Sequence, residues 1–331
     1  MKFTRTIGCA IAALLLTCPL AAYQAAGQRT EKAEKTITTV DRSLQGDQNC
    51  TVCHDENWRT PVLSIYQTKH GVKADERTPG CQSCHGGSTE HQNDPANKAP
   101  DVVFGAKSKK LSSAEVRNAA CLTCHESRIL PRTNWSGSQH ETRGVACTDC
   151  HEAHAPTQKV LNKLTQPEVC FACHKTQRAQ IHRFSRHPIA EGKVTCSDCH
   201  NPHGSTGPSL LVKNSVNETC YTCHAEKRGP FLWEHAPVVD DCTNCHTPHG
   251  SNLSPLLKMR PPMLCQSCHS GDHAKNLYSG ANLPGGNATT VNGQLPVGSQ
   301  SPPAQGNSRS CISCHSLVHG SNHPAGAKFQ R

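Results

Sequence analysis

The 331-residue chain contains 22 cysteines and 22 histidines, but only 35% of its residues are hydrophobic and 4% aromatic. So little apolar side chain cannot offset the entropy of ordering a domain of this size, so disulfides, metals or large apolar cofactors must supply the core. The formal charge of +9 admits a nucleic-acid partner, yet export, scattered charges and too few stacking aromatics exclude one.

Residues 1–26 read as a signal peptide. Lys2 and Arg5 form the positive end, Ile7 to Leu16 the apolar stretch, and Ala21, Ala22, Ala25 and Ala26 the small-residue cleavage zone. The apolar run is shorter than the roughly 20 residues of a membrane helix. Lipidation at Cys18 is disfavoured by Thr17 before it. Loss of Lys2 and Arg5 takes the charge from +9 to +7. No later segment approaches a membrane-spanning length. Residues 27–46 are charged and polar and read as a loose or helical N-terminal arm.

Beyond the signal, which holds Cys9 and Cys18, twenty cysteines fall in ten copies of Cys-x-x-Cys-His. In chain order they are Cys50, Cys53 and His54; Cys81, Cys84 and His85; Cys121, Cys124 and His125; Cys147, Cys150 and His151; and Cys170, Cys173 and His174. Then come Cys196, Cys199 and His200; Cys220, Cys223 and His224; Cys242, Cys245 and His246; Cys265, Cys268 and His269; and Cys311, Cys314 and His315. This spacing is the attachment signature of haem c. The two thiols add to the haem vinyl groups, and the adjacent histidine lies under the iron as proximal ligand. A redox Cys-x-x-Cys, a zinc site or a disulfide framework has no use for a histidine directly after every second cysteine. The expectation is ten covalently bound haems c in one domain over residues 47–331.

Twelve histidines remain: His70, His91, His140, His154, His182, His187, His203, His235, His249, His273, His319 and His323. Methionine, the usual competitor for the sixth iron position, survives only as Met259 and Met263. Bis-histidine ligation is therefore expected throughout. An internal repeat of about 48 residues supports it. Each copy reads histidine, motif, histidine three residues on, lysine, second motif. The copies are His140, Cys147–His151, His154, Lys163, Cys170–His174; His187, Cys196–His200, His203, Lys213, Cys220–His224; and His235, Cys242–His246, His249, Lys258, Cys265–His269. A looser copy uses His70, Cys81–His85, His91 and Cys121–His125. These units name His70, His91, His140, His154, His187, His203, His235 and His249 as distal ligands. His273 and His319 complete ten. His182 and His323 read as surface or second-layer residues, and His323, four residues after His319, is the alternative to it. The pairing of distal histidines with irons is not legible from the sequence.

Between motifs, Pro, Gly, His and Asn are frequent, as in Asn201-Pro202-His203-Gly204. The spacing predicts short α-helices and loops around an elongated chain of haems, with almost no β-sheet. Residues 275–310, with Leu283-Pro284-Gly285-Gly286 and Ser301-Pro302-Pro303, read as a flexible loop before the last haem. Asn134-Trp135-Ser136 and Asn217-Glu218-Thr219 match glycosylation sequons by chance. Iron held by two imidazoles exchanges electrons but lacks an open site for substrate, so the expected role is electron carriage rather than catalysis. Propionates of ten ferric haems would take the charge from +7 to about −3.

The ten motifs, signal peptide and length together resemble the MtrA/DmsE family of periplasmic decahaem cytochromes. The similarity is carried by Thr195-Cys196-Ser197-Asp198-Cys199-His200-Asn201-Pro202-His203-Gly204, by Ser215-Val216-Asn217-Glu218-Thr219-Cys220 through Glu234-His235-Ala236-Pro237, and by Val318-His319-Gly320-Ser321-Asn322-His323-Pro324. The resemblance implies a cytochrome in the periplasm, inserted in an outer-membrane β-barrel porin. Its implied partners are an extracellular multihaem cytochrome and a periplasmic or inner-membrane cytochrome that donates or accepts electrons. Either direction of flow fits a row of haems. A soluble periplasmic shuttle is the alternative, and a multihaem reductase a weaker one, because all ten proximal positions are histidine.

Overall fold

The computed structural model describes residues 44–58, 61–72, 78–105, 108–125, 134–269 and 310–330. The signal peptide, residues 27–43 of the arm, His273 and residues 275–309 lie outside this set. The chain forms two compact units, the first ending at Ala120 and the second starting at Cys121.

Both units are built of short helical pieces joined by loops. The longest described helix, Ala114–His125, has 12 residues, and the others run from three to six. Among the described residues there is no strand. Isolated bridges join Ser185 to Ser251, His200 to Leu211, Trp233 to Ser321 and His246 to Leu257. The expected architecture of loops and short helices is the one observed, and its cause is the motif itself. Each Cys-x-x-Cys-His is one helical turn, closed by a bond from the histidine N–H to the carbonyl of the first cysteine. That bond spans 3.0 Å at His54, 2.9 Å at His151, 2.9 Å at His200, 3.1 Å at His246 and 2.9 Å at His315.

Two versions of the turn alternate along the repeat. The first motif of each copy is a tight turn, and in the first two copies the residue before the second cysteine reaches back to the entering backbone. Asp149 Oδ2 accepts from Ala146 N–H at 2.9 Å and Asp198 Oδ2 from Thr195 N–H at 2.7 Å. Such caps contribute about 1 kcal/mol each. The second motif of each unit grows out of a longer turn. Examples are Gln166–Phe171, with proline at its start, and Val216–Tyr221, where Ser215 Oγ accepts from Glu218 N–H at 3.1 Å.

The polypeptide core is thin. Phe171, Ile181 and Ile189 form one buried cluster with Val194 packed against it. Trp135, Ala146 and Leu210 are buried elsewhere. Polar groups bear much of the order. Asn217, 7% exposed, donates through Nδ2 to Val238 O and Val239 O, both at 2.9 Å, and accepts at Oδ1 from Cys242 N–H at 2.8 Å. This side chain pins one motif helix to the next, so its sequon is an internal tie.

Successive copies are joined by a repeated clasp. The residues after the His-Gly step of one copy lie against the segment that leads into the previous copy's first histidine. Ser185 and Ser251 exchange backbone bonds of 2.8 Å and 2.8 Å, and Trp233 and Ser321 exchange bonds of 3.0 Å and 2.9 Å. Glycine is required at the contact. A Cβ on Gly250 (φ +153°) would stand 2.0 Å from Gln180 O, and one on Gly204 (φ +119°) 2.0 Å from Asn134 O. At Gly320 (φ +133°) it would meet the Phe231 ring at 2.2 Å.

Candidate functional site

The clasps bring histidines from different copies face to face. His151 and His203 have ring centres 6.0 Å apart at 14°, His200 and His249 6.0 Å at 16°, and His246 and His319 6.1 Å at 13°. A second series pairs the histidine before the first motif with the second motif of the same copy. His140 and His174 are 6.2 Å apart at 68°, His187 and His224 6.3 Å at 48°, and His235 and His269 6.1 Å at 21°. In the first unit His54 faces His91 at 6.2 Å and 29°.

These separations suit one metal held between two rings. A metal–imidazole bond of about 2.0–2.1 Å, with about 1.1 Å from nitrogen to ring centre, sets trans imidazoles about 6.3 Å apart. Ordinary aromatic pairs scatter over about 4.5–7 Å, whereas all seven pairs lie within 6.0–6.3 Å.

Ring orientation points the same way. Nδ1 lies against an oxygen acceptor: Lys98 O for His91 (2.9 Å), Pro202 O for His140 (2.7 Å), Pro248 O for His187 (2.7 Å) and Val318 O for His235 (3.0 Å). Among proximal rings the acceptors are Val102 O for His85 (3.0 Å), Gln158 Oε1 for His151 (2.8 Å) and Ser209 O for His200 (2.9 Å). Pro255 O serves His246 (2.9 Å) and Lys328 O serves His315 (2.6 Å). Each oxygen accepts from Nδ1–H, which keeps the proton there and would leave Nε2 free to bind a metal. Burial, reinforced by the facing imidazole, also lowers the pKa of His54, His203 and His249, favouring the neutral ring that binds metal. Burial does the same at His235, ahead of the opposing Val318 bond, and at His319, where Lys227 and then His246 add to it.

His323 behaves differently. Its Nδ1 accepts from Ala325 N–H at 3.1 Å, which leaves the proton on Nε2, and the ring facing His246 is that of His319. His182 is exposed.

The cysteines complete the pattern, and all twenty are half-buried or exposed, accessible to a vinyl edge. First cysteines of successive motifs hydrogen-bond in the pairs Cys50 with Cys81, Cys170 with Cys196, Cys220 with Cys242, and Cys265 with Cys311. As acceptors of the neighbouring thiol, Cys50 and Cys196 come down to about 7, nearer the reactive thiolate. Burial, then the charge of Cys242, pushes Cys220 up to about 12. Second cysteines feel each other electrostatically in the intervening pairs Cys150 with Cys173, Cys199 with Cys223, and Cys245 with Cys268. From the fourth motif to the tenth, each motif therefore adjoins its neighbours in sequence order, alternately by its first and second cysteines.

Three family models match the chain. Residues 187–229 and 235–274 match the doubled CXXCH motif, residues 81–164 the NrfB-like cytochrome c-type protein, and residues 20–86 cytochrome c554 and c-prime. The chain is 41% identical over 303 residues to the multihaem cytochrome MtrA of Shewanella baltica (strain OS185), a match covering 90% of this chain and 85% of that protein. The chain belongs to the MtrA family of multihaem cytochromes. It is a c-type electron-transfer cytochrome carrying covalent haem, and not an enzyme. In this MtrA-family chain the motif thiols are the groups that would take the haem vinyl groups, the facing imidazoles are the rings that could hold its iron, and one-electron exchange is the chemistry the haem would supply.

Sequence reasoning did not reveal that the second and third copies each set a histidine opposite the first motif of the copy before. The histidine before the first motif stays within its copy, while the one three residues after that motif faces the first motif of the preceding copy. The outer Nδ1 acceptors were also hidden, because all but Gln158 Oε1 are backbone carbonyls. The prolines before His203 and His249 were visible, but a carbonyl pairing leaves no side-chain signature. His70, His85, His125, His154 and His315 lie among the described residues but are not members of the seven pairs, and His273 lies outside the described residues.

Proposed function

We propose that this cytochrome carries ten haems, one per motif, and conducts electrons across the outer membrane inside a β-barrel porin. The observation that carries this reading is the motif ladder, in which neighbours in sequence are neighbours in space, over a run of seven motifs from Cys147 to His315. Such a row gives electrons one path with short intervals. The seven histidine pairs are axial ligand pairs, and His70, His154 and His273 serve the haems of His85, His125 and His315. Residues 47–331 are one decahaem domain following the signal peptide and arm.

The porin partner is inferred from the family relationship, and a barrel would also solve the passage through lipid. Among the described residues no helix is long and apolar enough to cross a bilayer. A closed barrel satisfies lipid on its outside and a polar guest within. At one end the partner is a periplasmic or inner-membrane cytochrome, and at the other an extracellular multihaem cytochrome or mineral. The ladder is indifferent to direction.

The test uses vesicles enclosing a reductant, with an external acceptor too large to cross. With the porin present the holoprotein passes electrons outward, and without it transfer is absent. Transfer by the cytochrome alone, or none by the complex, rejects the conduit.

A further inference from the structure

Among the proximal rings with a defined Nδ1 acceptor, His151 is set apart. His85, His200, His246 and His315 donate to backbone carbonyls, whereas His151 donates to the side-chain amide oxygen of Gln158 at 2.8 Å. The repeat shows why. In the other two copies the loop after the motif passes through His-Gly-Ser and returns to the motif by the His200–Leu211 and His246–Leu257 bridges. That return sets Ser209 O and Pro255 O, each nine residues after the histidine, against Nδ1. The first copy reads His154-Ala155-Pro156 instead, and no such bridge occurs at His151 among the described residues. Gln158, seven residues after His151 and half-buried, supplies the acceptor from its side chain.

We propose that Gln158 is a positioning residue that sets the reduction potential of the haem bound through His151. The inference rests on the reading of His151 and His203 as an axial pair. An acceptor at Nδ1 fixes the ring and raises its basicity, which favours ferric over ferrous iron. A stronger acceptor therefore lowers the potential and a missing one raises it. At His200 and His246 the acceptor is main chain and indifferent to side-chain identity. At His151 one codon controls it, so the potential of this haem is adjustable without altering the backbone.

The experiment compares Gln158→Glu and Gln158→Leu in the full holoprotein by potentiometric titration of the reduced haem band, with low-spin signals recorded in parallel. About one-tenth of the band amplitude, the share of one haem in ten motifs, moves to lower potential in Gln158→Glu and to higher potential in Gln158→Leu. A merely structural role would move both variants in the same direction. Shifts of the same sign, or no shift in either, overturn the proposal while leaving the axial pair intact. If His203→Ala produces no high-spin haem, the axial pair itself is wrong and the proposal falls with it.

Discussion

The clasp glycines offer a quantitative test of how the copies are held together. Replacing Gly250 by alanine places a methyl 2.0 Å from Gln180 O and 2.8 Å from Gln180 C, where ordinary contact begins at 3.4 Å. The opposed obstacle is main chain, so the two segments must part by more than an ångström. That movement loosens the reciprocal Ser185–Ser251 bonds at 2.8 Å and the His187 Nδ1 bond to Pro248 O at 2.7 Å. Two or three weakened hydrogen bonds at about 1 kcal/mol each, with about 1–3 kcal/mol of overpacking, give a loss of about 3–6 kcal/mol. At about 2–4 °C per kcal/mol the melting temperature falls by about 10 °C. The displaced residue next in sequence is His249, so the proposed ligation opposite His200 should weaken as well. Gly204→Ala meets the Asn134 carbonyl and should behave alike. Gly320→Ala meets only the Phe231 ring, which can rotate away, and should cost less. The assay is thermal melting of the three holoproteins with the ferric spin state recorded before heating. If Gly250→Ala melts with the wild type and stays fully low-spin, or if Gly320→Ala is the most damaged, the clasp argument is refuted.

Two further outcomes follow from single side chains. Asn217→Ala removes three hydrogen bonds from a buried site and leaves Val238 O, Val239 O and Cys242 N–H to find water. A loss of about 2–4 kcal/mol in denaturant unfolding is expected, and Asn217→Asp, which sets a carboxylate oxygen against the Val238 and Val239 carbonyls, should lose at least as much. His203→Ala should create one high-spin haem that binds cyanide, whereas His182→Ala and His323→Ala should leave the spectrum unchanged. A high-spin signal from either of the latter would show the ligand set to be misassigned.

The motif chemistry was legible because covalent haem attachment imposes an invariant local spacing, and the distal candidates because the repeat copies that spacing. The short-helix architecture followed from Pro, Gly and His between the motifs and from the scarcity of apolar residues. The pairing was not legible, since it depends on how copies stack. His203 lies near His200 in sequence yet faces His151, and His91 follows His85 yet faces His54. That His319 rather than His323 faces His246, while His323 Nδ1 accepts from Ala325 N–H, depends on the folded backbone and not on the spacing. Gln158 was invisible for a related reason: its role exists only because a neighbouring loop lacks the turn its counterparts make.

The central claim is that every iron in this cytochrome lies between two imidazoles. Near-infrared magnetic circular dichroism of the ferric holoprotein, on a sample whose intact mass shows ten haem additions, tests it most directly. The account expects the bis-histidine charge-transfer band alone, with intensity matching ten low-spin haems. A methionine-ligated band or a high-spin population in the unmodified protein would contradict it.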